Sequence, residues 1–261
     1  MKELLSSFAA VGHRTVRRGP LVHDGAPDAP PPSGPPGGLI RTAEITAPWQ
    51  FARLALKTPS LRHSPKGDGE PVIDIPGWRA PEASGAPLRS FLRRIGYDAM
   101  PWGLGTNHGD PEADAERLGR TVLATAESTG RPVALVGWSL GGVIAREVAR
   151  HEPEAVSRVI TYGTPVIGGP THTIGASSFG AEEAERITRL IEEVELEKPI
   201  SVPVTAIYTK RDGIVDWRAC IDRHSREVEH IEVASTHLGL GIDPDVWRII
   251  ATRLASRARP G

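Results

Sequence analysis

A single cysteine, Cys220, stands among the 261 residues, so no intrachain disulfide can form and a zinc site built from several thiolates is excluded. The nine histidines contain no HExxH pair and no tight pair matched to a carboxylate at metal-ligand spacing, which argues against a metal enzyme and implies no cofactor. No apolar run approaches the roughly 18 residues that a bilayer span requires. The stretch from Met1 to Arg18 lacks the continuous apolar core and small-residue cleavage site of a secretory leader, so a cytoplasmic protein without a transmembrane segment is expected. An excess of charge of either sign is missing too. Lys plus Arg number 31 and Asp plus Glu 32, giving a formal charge of −1, and no basic stripe is available to neutralise phosphates, so nucleic acid is not an expected partner. There is no internal repeat.

What the chain does contain divides near residue 70. Residues 1–69 read as an N-terminal arm. It holds an amphipathic stretch (Leu4, Leu5, Phe8, Val11), a Pro/Gly-rich tract from Gly25 to Gly38, and a helix opened by Thr46 and Pro48. Trp49, Leu54 and Leu56 give that helix an expected apolar side for packing over the core or bordering a substrate entrance. From Glu70 the signals alternate between strand and helix, the pattern of a mostly parallel sheet covered on both faces. Strands are expected from Val72 to Ile75, Asp98 to Trp102, at Val133, and from Val156 to Tyr162, Val202 to Tyr208 and Val228 to Val233. Residues 164–199 read as a lid-like insertion with an acidic helix from Ala181 to Glu195. Residues 70–261 then form one α/β domain, with six strands in its sheet.

The most informative stretch is Gly137-Trp138-Ser139-Leu140-Gly141, which joins an apolar β-branched run to a helix-like segment. A GxSxG pattern alone is weak, because glycines also turn ordinary strand-to-helix loops. Between a strand and a helix it has the setting that an exposed serine nucleophile needs. A serine hydroxyl reacts at neutral pH only if an imidazole accepts its proton and a carboxylate orients that imidazole. Asp212 follows the penultimate strand by four residues and His237 follows the last strand by four, so both fall in loops at the same sheet edge. Asp216 is the rival acid, and His224 and His230 are the weaker rivals for the base. Acyl transfer also needs two backbone N–H groups for the developing oxyanion. Leu140, beginning a helix, supplies one. Trp78, in Ile75-Pro76-Gly77-Trp78, is expected to supply the other, although Pro76-Gly77 alone reads equally as a simple turn. Trp78, Trp138 and His108 are candidate substrate-binding residues. Packing explains the tryptophans Trp78, Trp102 and Trp138 as well as an acyl pocket does, and a surface position fits His108.

With Ile75-Pro76-Gly77-Trp78, Gly137-Trp138-Ser139-Leu140-Gly141-Gly142, Asp212-Gly213-Ile214-Val215 and Ser235-Thr236-His237 in place, the chain from Glu70 to about Arg257 resembles the α/β-hydrolase superfamily. The bacterial lipase and esterase branch is the nearest in pattern. The resemblance implies an α/β-hydrolase fold with a triad of Ser139, Asp212 and His237, backbone oxyanion donors and a small-molecule or lipid ester as substrate. It leaves the oligomeric state open. Pro76-Gly77 departs from the His-Gly that often begins the oxyanion loop in lipases, and no clear strand precedes Glu70. The same residues would serve an acyltransferase or a thioesterase. Non-hydrolytic chemistry on the same scaffold and a non-catalytic binding module are the remaining alternatives.

Overall fold

The computed structural model describes residues 22–24, 29–32, 34–37, 42, 44, 47–173 and 181–256. Among the described residues seven parallel strands form one sheet: β1 (Val22–Asp24), β2 (Pro71–Ile75), β3 (Asp98–Pro101), β4 (Val133–Trp138), β5 (Val156–Tyr162), β6 (Val204–Tyr208) and β7 (Glu227–Glu232). Their spatial order is β1-β7-β6-β5-β4-β2-β3. The six strands expected from the sequence form β2 to β7. The added strand pairs Val22 with Glu227 and Asp24 with Glu229 at the edge. Three residues of mixed polarity carry no period-2 signal, so this element lay below what pattern reading detects, and the expectation of no strand before Glu70 is corrected.

Side-chain alternation along the strands builds a core on each face. Ile73, Leu135 and Val159 point to one side, where they pack with Leu118 and Val122 of α3 (Pro111–Thr129) and with Ile144 and Val148 of α4 (Leu140–His151). Val72, Val136 and Ile160 point to the other side. They pack there with Leu88 and Leu92 of α2 (Ala86–Arg94) and with Trp247 and Ile250 of α6 (Pro244–Ala255). Burial on both faces explains why these strands read as continuous apolar runs. Helix ends follow local chemistry: Asp110 accepts a bond from the Ala113 N–H before Pro111 opens α3, and Gly130 closes it at φ +65°.

The arm helix α1 (Ala47–Leu61) docks beside α6 differently from the expected apolar packing. Leu54 meets the core, but Trp49 and Leu56 are 68% and 79% exposed. Ion pairs hold the helix instead: Arg53 bonds Asp243 at 3.0 Å and Asp245 at 2.9 Å, and Lys57 bonds Asp245 at 2.9 Å. The acidic helix of the insertion is α5 (Ala181–Glu197). Its Glu195 meets Arg146 and Arg150 of α4, each at 2.7 Å, and Arg146 also bonds Asp222 at 2.5 Å. The amphipathic stretch at Leu4 to Val11 lies outside the described residues.

The strand order fixes where a ligand can bind. After β2 the chain crosses outward to β3, and it then returns to lay β4 on the opposite side of β2. Connections leaving β2 and β4 therefore diverge, and the crevice between them opens at their C-terminal ends.

Candidate active site

Ser139 lies in that crevice, between the end of β4 and the first residue of α4. Its backbone has φ 52° and ψ −122°, a region that non-glycine residues avoid. Two glycines make the turn possible. A Cβ at Gly137 would lie 2.5 Å from the Gly141 carbonyl oxygen, and one at Gly141 would lie 2.4 Å from that of Ile75. The turn leaves Leu140 at the first position of α4, where a backbone N–H has no acceptor within the helix.

Asp212 and His237 come together from loops that follow adjacent strands. The Asp212 Oδ2 lies 2.7 Å from the His237 Nδ1, and the two residues are 3% and 1% exposed. The other carboxylate oxygen accepts bonds from the N–H groups of Ile214 at 2.9 Å and Val215 at 2.7 Å, so the carboxylate has one orientation. Facing a carboxylate, Nδ1 carries the ring proton, which leaves Nε2 as a proton acceptor. The imidazole sits beside the elbow. Trp138 donates from its indole N–H to the His237 carbonyl oxygen at 3.3 Å, and the two rings are 5.6 Å apart. Gly163, at φ +62°, completes the wall on the β5 side, where a Cβ would come within 3.0 Å of Nδ1.

The rival residues serve elsewhere. Asp216 accepts from the Arg218 N–H and caps a short turn. His230 accepts the Asp222 N–H at its Nε2, and the His224 N–H donates to Asp222.

The loop after β2 forms the opposite wall. A Cβ on Gly77 would meet Trp138 at 3.1 Å and the Ser139 Cβ at 3.3 Å, so this backbone is in contact distance of the elbow. Arg79, two residues on, has φ 59°. It and Ser139 are the non-glycine residues with positive φ among those described, and they stand on opposite sides of the crevice. The Arg79 guanidinium lies 4.5 Å from the ring centre of Trp78, which is 43% exposed at the mouth. Trp102, in contrast, is 1% exposed in the core and donates to the Gly105 carbonyl. The motif-adjacent tryptophans thus occupy separate places. His108 is exposed, and its neighbour Asn107 is fully buried. The Asn107 side-chain amide donates to the Pro76 carbonyl at 2.8 Å, and its backbone pairs with Arg79 and Ala80.

Behind this loop, Asp74 of β2 is paired with Arg89 of α2 at 2.7 Å. Burial pushes the Asp74 carboxyl up to about 6, against the opposing pull of the Arg89 guanidinium. Cys220 is buried near Asp212 and Asp216, and burial with those two negative charges raises its thiol well above the usual range. A cavity of about 440 Å³ lined by Asp68, Tyr97, Arg131 and Arg158 lies at the N-terminal ends of the strands, away from this chemistry. Among the described residues no cluster of His, Cys, Asp and Glu could hold a metal ion, and no helix is long and apolar enough to cross a membrane.

Solved structures share this architecture. Aspergillus fumigatus lipase B superposes with a TM-score of 0.60 at 18% identity, covering 76% of this chain and 57% of that one. A chain from a structure described as one of the metagenome-derived lipolytic enzymes LipS and LipT gives 0.53 at 15% identity, over 73% of this chain and 94% of that one. The chain has the α/β-hydrolase fold. No protein-family model matches it. Among curated proteins, it is 33% identical over 108 residues to a pimeloyl-[acyl-carrier protein] methyl ester esterase from Aliivibrio fischeri. A protein of the same description from Shewanella woodyi is 29% identical over 105 residues. The first match covers 40% of this chain and 40% of the relative, the second 39% of each. The chain thus aligns with about two fifths of these relatives' length.

Two residues whose side chains bond the backbone of these loops left no sequence signal. Asn107 sits in a polar Gly-rich loop where any amide would look unremarkable. Glu44 lies in the arm, and no local motif marks a carboxylate whose partners are more than 160 positions away, as its bonds to Gly213 and His237 are.

Proposed function

We propose that the chain is a serine hydrolase of carboxylic esters. Ser139 attacks the acyl carbonyl while His237 accepts its proton at Nε2, and Asp212 holds the imidazole and stabilises its charged form. The backbone N–H groups of Trp78 and Leu140 receive the developing oxyanion. His237 then protonates the leaving alcohol, and a water activated by the same imidazole releases the acid. The observation that carries this reading is the Asp212–His237 contact of 2.7 Å, set against the elbow that holds Ser139 in a strained conformation. The partial sequence match to methyl ester esterases supports an ester as the substrate class. Trp78 and Trp138 border the acyl-binding side.

A fluorophosphonate probe tests the nucleophile. In wild type the Ser139 oxygen is expected to displace fluoride from the probe and carry the phosphonyl group, and Ser139→Ala is expected to stay unlabelled. Turnover of p-nitrophenyl esters of increasing acyl length then tests hydrolysis. Equal labelling of wild type and Ser139→Ala would remove Ser139 from the mechanism. Labelling without release of p-nitrophenol would move the reading to acyl transfer to another acceptor.

A further inference from the structure

The loops that carry Asp212 and His237 leave neighbouring strands, and two ties besides the Asp212–His237 contact join them. Near their bases, the Thr209 hydroxyl donates to the Ser235 carbonyl oxygen at 2.8 Å. Near their tips, the tie comes from outside both loops. One carboxylate oxygen of Glu44 accepts the Gly213 N–H and the His237 N–H, each at 2.9 Å, and the other accepts the Leu238 N–H at 2.9 Å. Gly213 directly follows Asp212 and Leu238 directly follows His237, so this one half-buried carboxylate grips the backbone on both sides of the Asp212–His237 contact.

We infer that Glu44 is a positioning residue of the hydrolytic site, and that the N-terminal arm is therefore a working part of the catalytic apparatus. The inference rests on the hydrolase reading given above. Three physical arguments carry it. An ionised carboxylate makes stronger hydrogen bonds than a neutral acceptor, about twofold, and here all three donors are backbone groups that have no side-chain freedom of their own. The bridging oxygen fixes the acid loop relative to the base loop, which is the distance on which the tautomer and orientation of the imidazole depend. The arm itself is anchored close by, because Arg53 and Lys57 of α1 bond Asp243 and Asp245 just beyond the base loop. Glu44 thus reaches the loops from an anchored segment. A shift of about 1 Å in a reacting group can cost about 100-fold in rate, so loosening this grip is expected to act on turnover far more than on substrate affinity.

The test uses the full chain with Glu44→Ala and Glu44→Gln. Fluorophosphonate titration counts the competent Ser139 sites in each preparation, and kcat for a p-nitrophenyl ester is expressed per titrated site, so misfolded protein does not enter the rate. Glu44→Ala is expected to lose about 10- to 100-fold in kcat per site with KM changed by less than about twofold. Glu44→Gln keeps an acceptor oxygen for Gly213 and His237 and is expected to recover part of that loss. Added formate, a small carboxylate able to enter the vacated space, is expected to raise kcat of Glu44→Ala and leave wild type unchanged. Wild-type kcat per titrated site in Glu44→Ala would overturn the positioning role and leave the hydrolase reading standing. Absence of labelling at Ser139 in wild type would instead overturn the hydrolase reading, and the role of Glu44 with it.

Discussion

Thr164 donates a hydrogen bond of 2.9 Å from its Oγ1 to the carbonyl oxygen of Ser139, so the loop after β5 restrains the strained residue from below. The hydroxyl is closely packed, since a Cβ at Gly142 would lie 2.0 Å from it. Thr164→Val keeps the shape and leaves the Ser139 carbonyl without that donor. A loss of about 1 kcal/mol in stability is expected by denaturant unfolding, together with slower fluorophosphonate labelling. Gly142→Ala forces the collision and is expected to be the more damaging of the two in both measurements.

The backbone of Ser139 allows strain to be weighed directly. At φ 52° a glycine rests with little cost, whereas alanine retains the Cβ penalty. Ser139→Gly is therefore expected to be more stable than Ser139→Ala by about 1 kcal/mol, both variants being inactive. Equal thermal midpoints would show that the turn holds no such strain.

Asp212 and Asp216 differ in place and are expected to differ in function. Asp212→Asn turns a carboxylate into an amide that cannot fix the imidazole tautomer, and kcat is expected to fall by about 10⁴-fold. Asp216→Asn keeps the acceptor of a turn cap and loses only the partly exposed ion pair with Arg218, so it is expected to cost less than about 1 kcal/mol in stability, with kcat near that of wild type. Steady-state kinetics on the two variants decides between them; a larger kcat loss in Asp216→Asn would reverse the assignment.

Much of this arrangement could be read from the chain because its signals are local. Strands buried on both faces appear as apolar runs, and Asp110-Pro111 and Gly130 mark the limits of α3 through capping alone. Ser139, Asp212 and His237 each sit next to a strand end, so the parallel topology places them on one edge before any contact is known. The arm was less legible. Trp49 and Leu56 suggested an apolar face, yet α1 is held largely by Arg53 and Lys57, whose acidic partners lie about 190 residues away in the sequence. Glu44, Asn107 and Thr164 bond backbone groups, and such partners carry no residue-specific signature.

Acid stability should report the pair beneath α4. Burial alone would raise the Asp222 carboxyl, but Arg146, with added donors from Ser225 and His224, holds it well below its usual value of 3.8. An acid whose folded pKa is depressed stabilises the fold while ionised in both states. That contribution is present above about pH 4 and is lost as pH falls toward the folded value. Thermal melts of wild type are expected to drop steeply below about pH 4. Asp222→Asn is expected to start about 3 kcal/mol lower at neutral pH, because Arg146 is left without that charge, and to show a flatter acid limb.

Asn107→Ala isolates the loop after β2. It removes the donor to Pro76, and a loss of about tenfold or more in kcat is expected from a less fixed oxyanion wall. Asn107→Asp leaves the Pro76 carbonyl facing an acceptor and is expected to be no better. Wild-type turnover in Asn107→Ala would show that the loop keeps its shape without the amide.

The hollow beneath the sheet has a practical consequence for ligand discovery. The six residues of β4 run for about 20 Å, so a compound lodged beside Arg131 and Arg158 sits at the opposite end of that strand from Ser139. A ligand placed there is expected to leave ester turnover unchanged. On the proposed mechanism, electrophiles carrying a flat group to lie against Trp78 are the expected inhibitors.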